Sequence, residues 1–256
     1  IFGAGCSDFT DIKPKGMNVL ATVDDLNQIL NYEFTQYAFE FRDAMALVND
    51  MMPDGVNIPN LLTDQTNNSL IKAIYTWDET ADRALLTVED RHYEGFYKII
   101  NTVANPVIAR ADAAQGDKGL ANQYKAEAYV LRAYMYYLLV NFYAKAYDPA
   151  TAATDPAIPY VDENDLVRTP GKKLTVKEIY ERIVDDLDAA FELESLVTAP
   201  LNKMRIGLTF ALGVKAQVMM SLRDYDEAYK AADEALVLYS VIDDYTEQLT
   251  AGKFQP

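Results

Sequence analysis

Residues 123–143 read QYKAEAYVLRAYMYYLLVNFY. The stretch predicts a helix whose apolar side chains fall on almost every face. A helix that is hydrophobic all round is wrapped by other helices. One cation, Arg132, sits in its middle. A buried guanidinium is costly unless paired. Arg132 therefore predicts a buried structural ion pair, with Glu127 or with a carboxylate on a neighbouring helix.

Working outward, Gln115-Gly116-Asp117-Lys118-Gly119 reads as the turn into this helix. A long loop, Ala144 to Lys173, comes after it; its Pro, Asp, Thr and Ala content gives no periodicity. Loops of that length are functional or disordered. Thr175 and Glu178 form a capping box. The helix they open sets Val176, Ile179, Tyr180, Ile183, Leu187, Ala190 and Phe191 on one side, with Asp185, Asp186 and Asp188 mostly pointing away.

Ile206–Leu222 and Tyr225–Tyr239 read as a helical hairpin closed by Arg223-Asp224. Gly213 and Ala216 are small residues where a partner helix could approach, and Ala228, Ala231, Ala232 and Ala235 form a small-residue face. Such hairpins resemble tetratricopeptide units.

Upstream, Thr22 caps a helix carrying Val23, Leu26, Ile29 and Leu30. A second helical run covers 37–49, a Pro- and Asn-containing loop covers 51–68, and 69–78 reads as a short strand or irregular stretch. Helical periodicity resumes near Ala81 and runs to Ala113, with a break at Asn105-Pro106. The fold class is all-α: tetratricopeptide-like helical hairpins forming an α-α superhelix scaffold with long inserted loops. Residues 1–21 read as an N-terminal tether and 22–256 as one helical domain.

The 256 residues carry a net charge of -16. That excludes nucleic acid as a partner, because phosphate backbones require Lys/Arg stripes. No uncharged apolar run is long enough to span a membrane. His92 is the only histidine, so a Ser-His-Asp triad and a two-histidine metal site are excluded. Thr169-Pro170-Gly171-Lys172 lacks the upstream glycine of a phosphate loop. Asp162-Glu163-Asn164-Asp165 reads as a solvated acidic loop, and Asp185-Asp186 and Asp243-Asp244 as solvated faces. No catalytic pair, metal or cofactor is expected, and the chain reads as no enzyme.

Cys6 is the single cysteine. Gly5-Cys6 after small residues looks like the end of a bacterial lipoprotein signal, with Cys6 as the lipidated residue. Gly3 stands where such signals usually have Leu.

Several segments, in order, resemble the SusD/RagB family of Bacteroidetes outer-membrane nutrient-binding lipoproteins. Tyr93, Phe96-Tyr97, Ile100 and Asn105 resemble one of its helices, with Tyr93 in place of Trp. Glu127, Leu131-Arg132-Ala133-Tyr134, Tyr137, Leu139-Val140 and Tyr143 resemble its most recognisable segment. Ile158-Pro159-Tyr160, Arg168, Ile179-Tyr180, Asp186-Leu187 and Ala190 resemble the family's next segments. The resemblance covers the N-terminal half of such proteins.

It implies a lipid-anchored protein of the outer membrane, at the cell surface, that takes part in nutrient uptake. It would bind an oligo- or polysaccharide and hand it to a SusC-like TonB-dependent transporter. Sugars are held by aromatic rings against their C–H faces and by polar groups on their hydroxyls. The candidates for ligand binding are Asn67, Asn68, Tyr75, Trp77 and Asp78, in the loops before the Tyr93 helix. For the lone Trp77, a core anchor beneath the loop is the more frequent role. Tyr134, Tyr136 and Tyr137 are expected to pack. The alternative is a tetratricopeptide-type module that binds a protein or peptide.

Overall fold

The computed structural model describes residues 20–31, 72–73, 76–82, 85, 91–164, 171–202, 204–242 and 246, the side chains of 91 and 92 excepted. Cys6, the helical run at 37–49, Asn67, Asn68, Tyr75, the side chain of His92 and Arg168 lie outside the described residues.

The element order begins with α1 (Val23–Leu30), α2 (Arg91–Ile99), a π-helical turn (Ile100–Ala104) and α3 (Asn105–Ala111). It continues with α4 (Lys118–Tyr143), β1 (Pro156–Pro159), β2 (Lys173–Thr175), α5 (Val176–Glu192), α6 (Leu208–Leu222) and α7 (Tyr225–Leu238). The all-helical class and the hairpin layout expected from the sequence are what the structure shows.

The quoted stretch lies within α4, whose 26 residues span about 39 Å at the usual helical rise. Asp117 caps it, its carboxylate accepting from the Leu120 N–H at 3.0 Å. Its buried side chains lie all round the axis, from Ala121 and Tyr124 to Leu139 and Val140. The neighbours explain this: α5 packs on one side, and α1, α2, the π turn and α3 on others. Each fully buried aliphatic side chain there contributes about 1.5–3 kcal/mol.

α1 carries the Thr22 cap, reinforced by Asp25 in a capping box. Short backbone bonds staple it to the turn before α4: Val23 N–H to Gln115 O at 3.0 Å and Gln115 N–H to Ala21 O at 2.8 Å. Gly116 closes that turn at φ 128°, a conformation that disfavours any side chain.

Three sequence expectations change. The stretch 69–78 is no strand where described: it holds a helical turn at 72–73 and a tight turn at 76–77. The break near Pro106 is a register change. The Asn105 N–H bonds to the Ile100 carbonyl five residues back, and the chain stays helical. The loop after α4 also has structure at its base. β1 and β2 pair antiparallel, with Pro156 opposite Thr175 and Pro159 opposite Lys173. The Val176 and Lys177 N–H groups then bond to Asp155 O and Ala152 O, so the loop helps to cap α5.

The Thr175–Glu178 capping box forms as expected. The turn between α6 and α7 places Arg223 at φ 65° and lets Asp224 cap α7. Gly213, expected at a close approach, has open space: a Cβ there meets nothing within 4 Å. By contrast a Cβ on Gly207, just before α6, comes within 2.8 Å of Val197 O. Gly213→Ala is therefore expected to stabilise the protein by about 0.5–1 kcal/mol. Gly207→Ala lowers the melting temperature; thermal unfolding of the two variants side by side checks both signs.

Candidate functional site

Arg132 is 3% exposed, and so is Asp186 on α5. They form a two-pronged ion pair: Arg132 Nε to Asp186 Oδ2 at 2.8 Å and Nη2 to Oδ1 at 2.6 Å. The remaining nitrogen, Nη1, donates to Asn105 Oδ1 at 2.9 Å and to Glu163 Oε2 at 2.6 Å. The guanidinium also lies near the Tyr129 and Tyr160 rings, 5.6 and 5.8 Å from their centroids.

The segment around Val161 is bolted down by the same group of residues. Asn105 Nδ2 donates to Val161 O at 3.2 Å. The Tyr136 hydroxyl accepts from Val161 N at 2.7 Å and donates to Val161 O at 3.0 Å. Tyr97 donates to Pro159 O at 2.6 Å, and the Tyr136 and Tyr160 rings stack with centroids 4.6 Å apart. Tyr136 packs as expected.

Two expectations are corrected here. Asp186 does not point away with a solvated face; the Arg132 guanidinium has drawn it into the core. Glu163 is half-buried and paired, so at that position the acidic loop is no free solvated run. The signal for Asp186 was present: it lies seven residues after Ile179 and three after Ile183, on the apolar side of α5. Asn105 and Glu163 had no such local signal, since only the fold brings them to Arg132.

Burial pushes the Asp186 carboxyl above its usual range, and Arg132 pulls against that. Burial works against charge on Arg132 too, but its bonds to Asp186 outweigh it and hold the cation well above its ordinary value. Glu163 is also opposed by burial, yet its bond to Arg132 prevails and its carboxyl sits below the ordinary range.

A second clamp joins α1 to α4. Arg205, before α6, donates through Nε to Glu127 Oε2 at 2.8 Å and through Nη1 to Asn27 and Asn31. Its guanidinium lies over the Tyr124 ring at 5.0 Å. Gln123 donates to the other Glu127 oxygen at 3.1 Å. Glu127 thus serves Arg205, not Arg132; burial pushes its carboxyl up despite that partner.

Of the expected ligand residues, the described ones are Trp77 and Asp78. Trp77 is 74% exposed, so the core-anchor reading fails. It sits in a tight turn at φ 52°. The Asp78 N–H reaches back to Ala73 O at 2.9 Å, the closing bond of a Schellman-type turn. Asp78 Oδ1 accepts from Thr80 N at 2.9 Å and from Thr80 Oγ1 at 2.6 Å. The arrangement puts an indole face in water beside polar side chains. Among the described residues no group of His, Cys, Asp or Glu is placed to hold a metal. Among them, no helix is long and apolar enough to cross a membrane.

A SusD-like family model, described as "Starch-binding associating with outer membrane", matches residues 8–219. The chain belongs to the SusD-like family. The family's description names starch binding. No curated protein sequence matches it. Its fold is similar to that of a SusD-like carbohydrate binding protein from Bacteroides vulgatus, at TM-score 0.63 and 22% identity over 89% of this chain and 47% of that one. A SusD superfamily protein from Bacteroides thetaiotaomicron gives TM-score 0.63 and 20% identity, covering 84% of this chain and 46% of that one. Surface glycan-binding protein A from Bacteroides fluxus gives 0.62 and 23%, covering 89% and 47%. This SusD-like chain thus spans about half the length of these solved relatives.

The lowered carboxyl of Glu163 fixes the sign of one pH effect. Its contribution is present above the unfolded glutamate value, about 4.3, and is lost as pH falls through the lower folded value. Asp186 and Glu127 are raised, so they do not add to that acid loss. Glu163→Gln is expected to cost about 1–2 kcal/mol at neutral pH. The gap from wild type narrows on acidification, as thermal melts across the acid range will read.

Proposed function

We propose that this chain is the helical scaffold of a cell-surface, lipid-anchored protein. It captures an oligo- or polysaccharide and delivers it to a SusC-like TonB-dependent transporter in the outer membrane. The observation that carries the reading is Trp77, an exposed indole on a closed turn. Such a ring offers an apolar face to the C–H side of a pyranose. Asn67, Asn68, Tyr75 and Asp78 are proposed as further ligand-binding residues, and Cys6 is the proposed lipid attachment point. Family membership supports the reading through the family's description. A net charge of -16 favours a neutral glycan over an acidic one.

A protein-binding role has one observation in its favour. α7 leaves Tyr225, Tyr229 and Leu236 60–71% exposed, a surface suited to another helix. In the glycan reading that face plays no part in sugar capture.

The test is affinity electrophoresis of the protein in gels cast with different polysaccharides, soluble starch among them. Retardation by at least one is expected, and its loss in both Trp77→Ala and Trp77→Gly. Glycine relieves the left-handed backbone, so loss in that variant assigns binding to the ring. Unretarded migration in every gel sinks the glycan reading for this chain. The anchor is read separately: radiolabelled palmitate fed to expressing cells is expected in the protein and absent from Cys6→Ala, and an unlabelled wild type removes the anchor.

A further inference from the structure

Three described residues other than glycine have a left-handed backbone: Trp77, Glu194 and Arg223. Glu194 and Arg223 stand just beyond α5 and α6, where helices commonly end this way. Trp77 ends the helical turn that holds Lys72 and Ala73 in the same way, yet a bulky aromatic residue is rare in this conformation and glycine would adopt it freely. A residue held there needs bonds on both sides of it. The approach side is fixed by Thr76, whose N–H and hydroxyl both bond to Lys72 O, at 2.9 and 2.8 Å. On the exit side the Asp78 N–H returns to Ala73 O, and the Asp78 carboxylate gathers the N–H and hydroxyl of Thr80 on one oxygen.

We propose that Asp78 and Thr80 are positioning residues for Trp77: their hydrogen-bonded pair locks the turn and holds the indole ready to meet a sugar. This rests on the reading of Trp77 as a stacking platform. Asp78 Oδ1 already accepts two donors within the turn, so its first task is to hold the loop. The gain is pre-organisation. A solvent-exposed ring on a loose backbone loses conformational freedom when it binds, and that loss weakens affinity. A ring on a locked turn has already lost that freedom. Thr80 thereby gains a role in binding although it lies three residues from the ring and is itself exposed.

The chain contains one tryptophan, so indole fluorescence reports on this turn alone. The protein, Thr80→Val and Thr80→Ser are compared by steady-state anisotropy, excited at the red edge where the 18 tyrosines are silent. Thr80→Val keeps the shape of threonine and removes the hydroxyl donor. It is expected to lose anisotropy with an unchanged melting temperature, and its retardation by soluble starch is expected to weaken several-fold. Thr80→Ser restores both, which a purely structural role would not require. Equal anisotropy in Thr80→Val and wild type overturns the latch, whatever the gels show. If wild type and Trp77→Ala migrate alike in starch while Thr80→Val loses anisotropy, the glycan reading fails for that sugar. The latch then stands as a device of the turn, without a part in starch capture.

Discussion

An arginine inside an apolar helix has to be answered by a carboxylate, and much of this structure is arranged around that answer. Removing Arg132 and Asp186 from water costs several kcal/mol per ion, recovered only by good geometry and further hydrogen bonds. The pair meets both conditions. Two parallel bonds join the ions, and Asn105 and Glu163 take the last nitrogen. Each of these residues comes from a different element. The spacing of α4 and α5, the position of α3 and the path of the loop are therefore fixed by one guanidinium.

α4 repeats the device with the opposite sign. Glu127 lies five residues before Arg132, about 140° around the axis. The two clamps face different sides of the same helix, one toward α1 and Arg205, the other toward α5 and the loop. Apolar packing alone would tolerate a helix sliding or turning by a residue. Two directional charge pairs on different sides do not. Stability comes from the apolar core; register comes from the charges.

Much of this was legible where the signal was local. The apolar surround of α4, the Thr175–Glu178 capping box and the α6–α7 hairpin are each encoded by a few neighbouring residues. Asp186 was obscured by its neighbours, because Asp185 and Asp188 give the segment an acidic, solvated look while the apolar period runs through 179, 183, 186 and 190. The ribbon at the base of the long loop pairs Pro156 with Thr175, a contact that local composition does not encode. The exposure of Trp77 is likewise a tertiary property. A lone Trp is more often a core anchor, and only the placement of the surrounding chain puts this one at the surface.

The π-helical turn before Asn105 has a consequence for how the helices on either side of it face the core. Such a turn contains one residue more than an α-helical turn. Everything before it is rotated by about 100° relative to an unbroken helix. Phe96 and Ile99 upstream and Val107 and Ile108 downstream all reach the core across that turn. Tyr97 on one side of it reaches Pro159, and Asn105 on the other reaches Arg132. The extra residue acts as a gear between two helical segments, and a one-residue deletion within it would turn one set of contacts away from its partners.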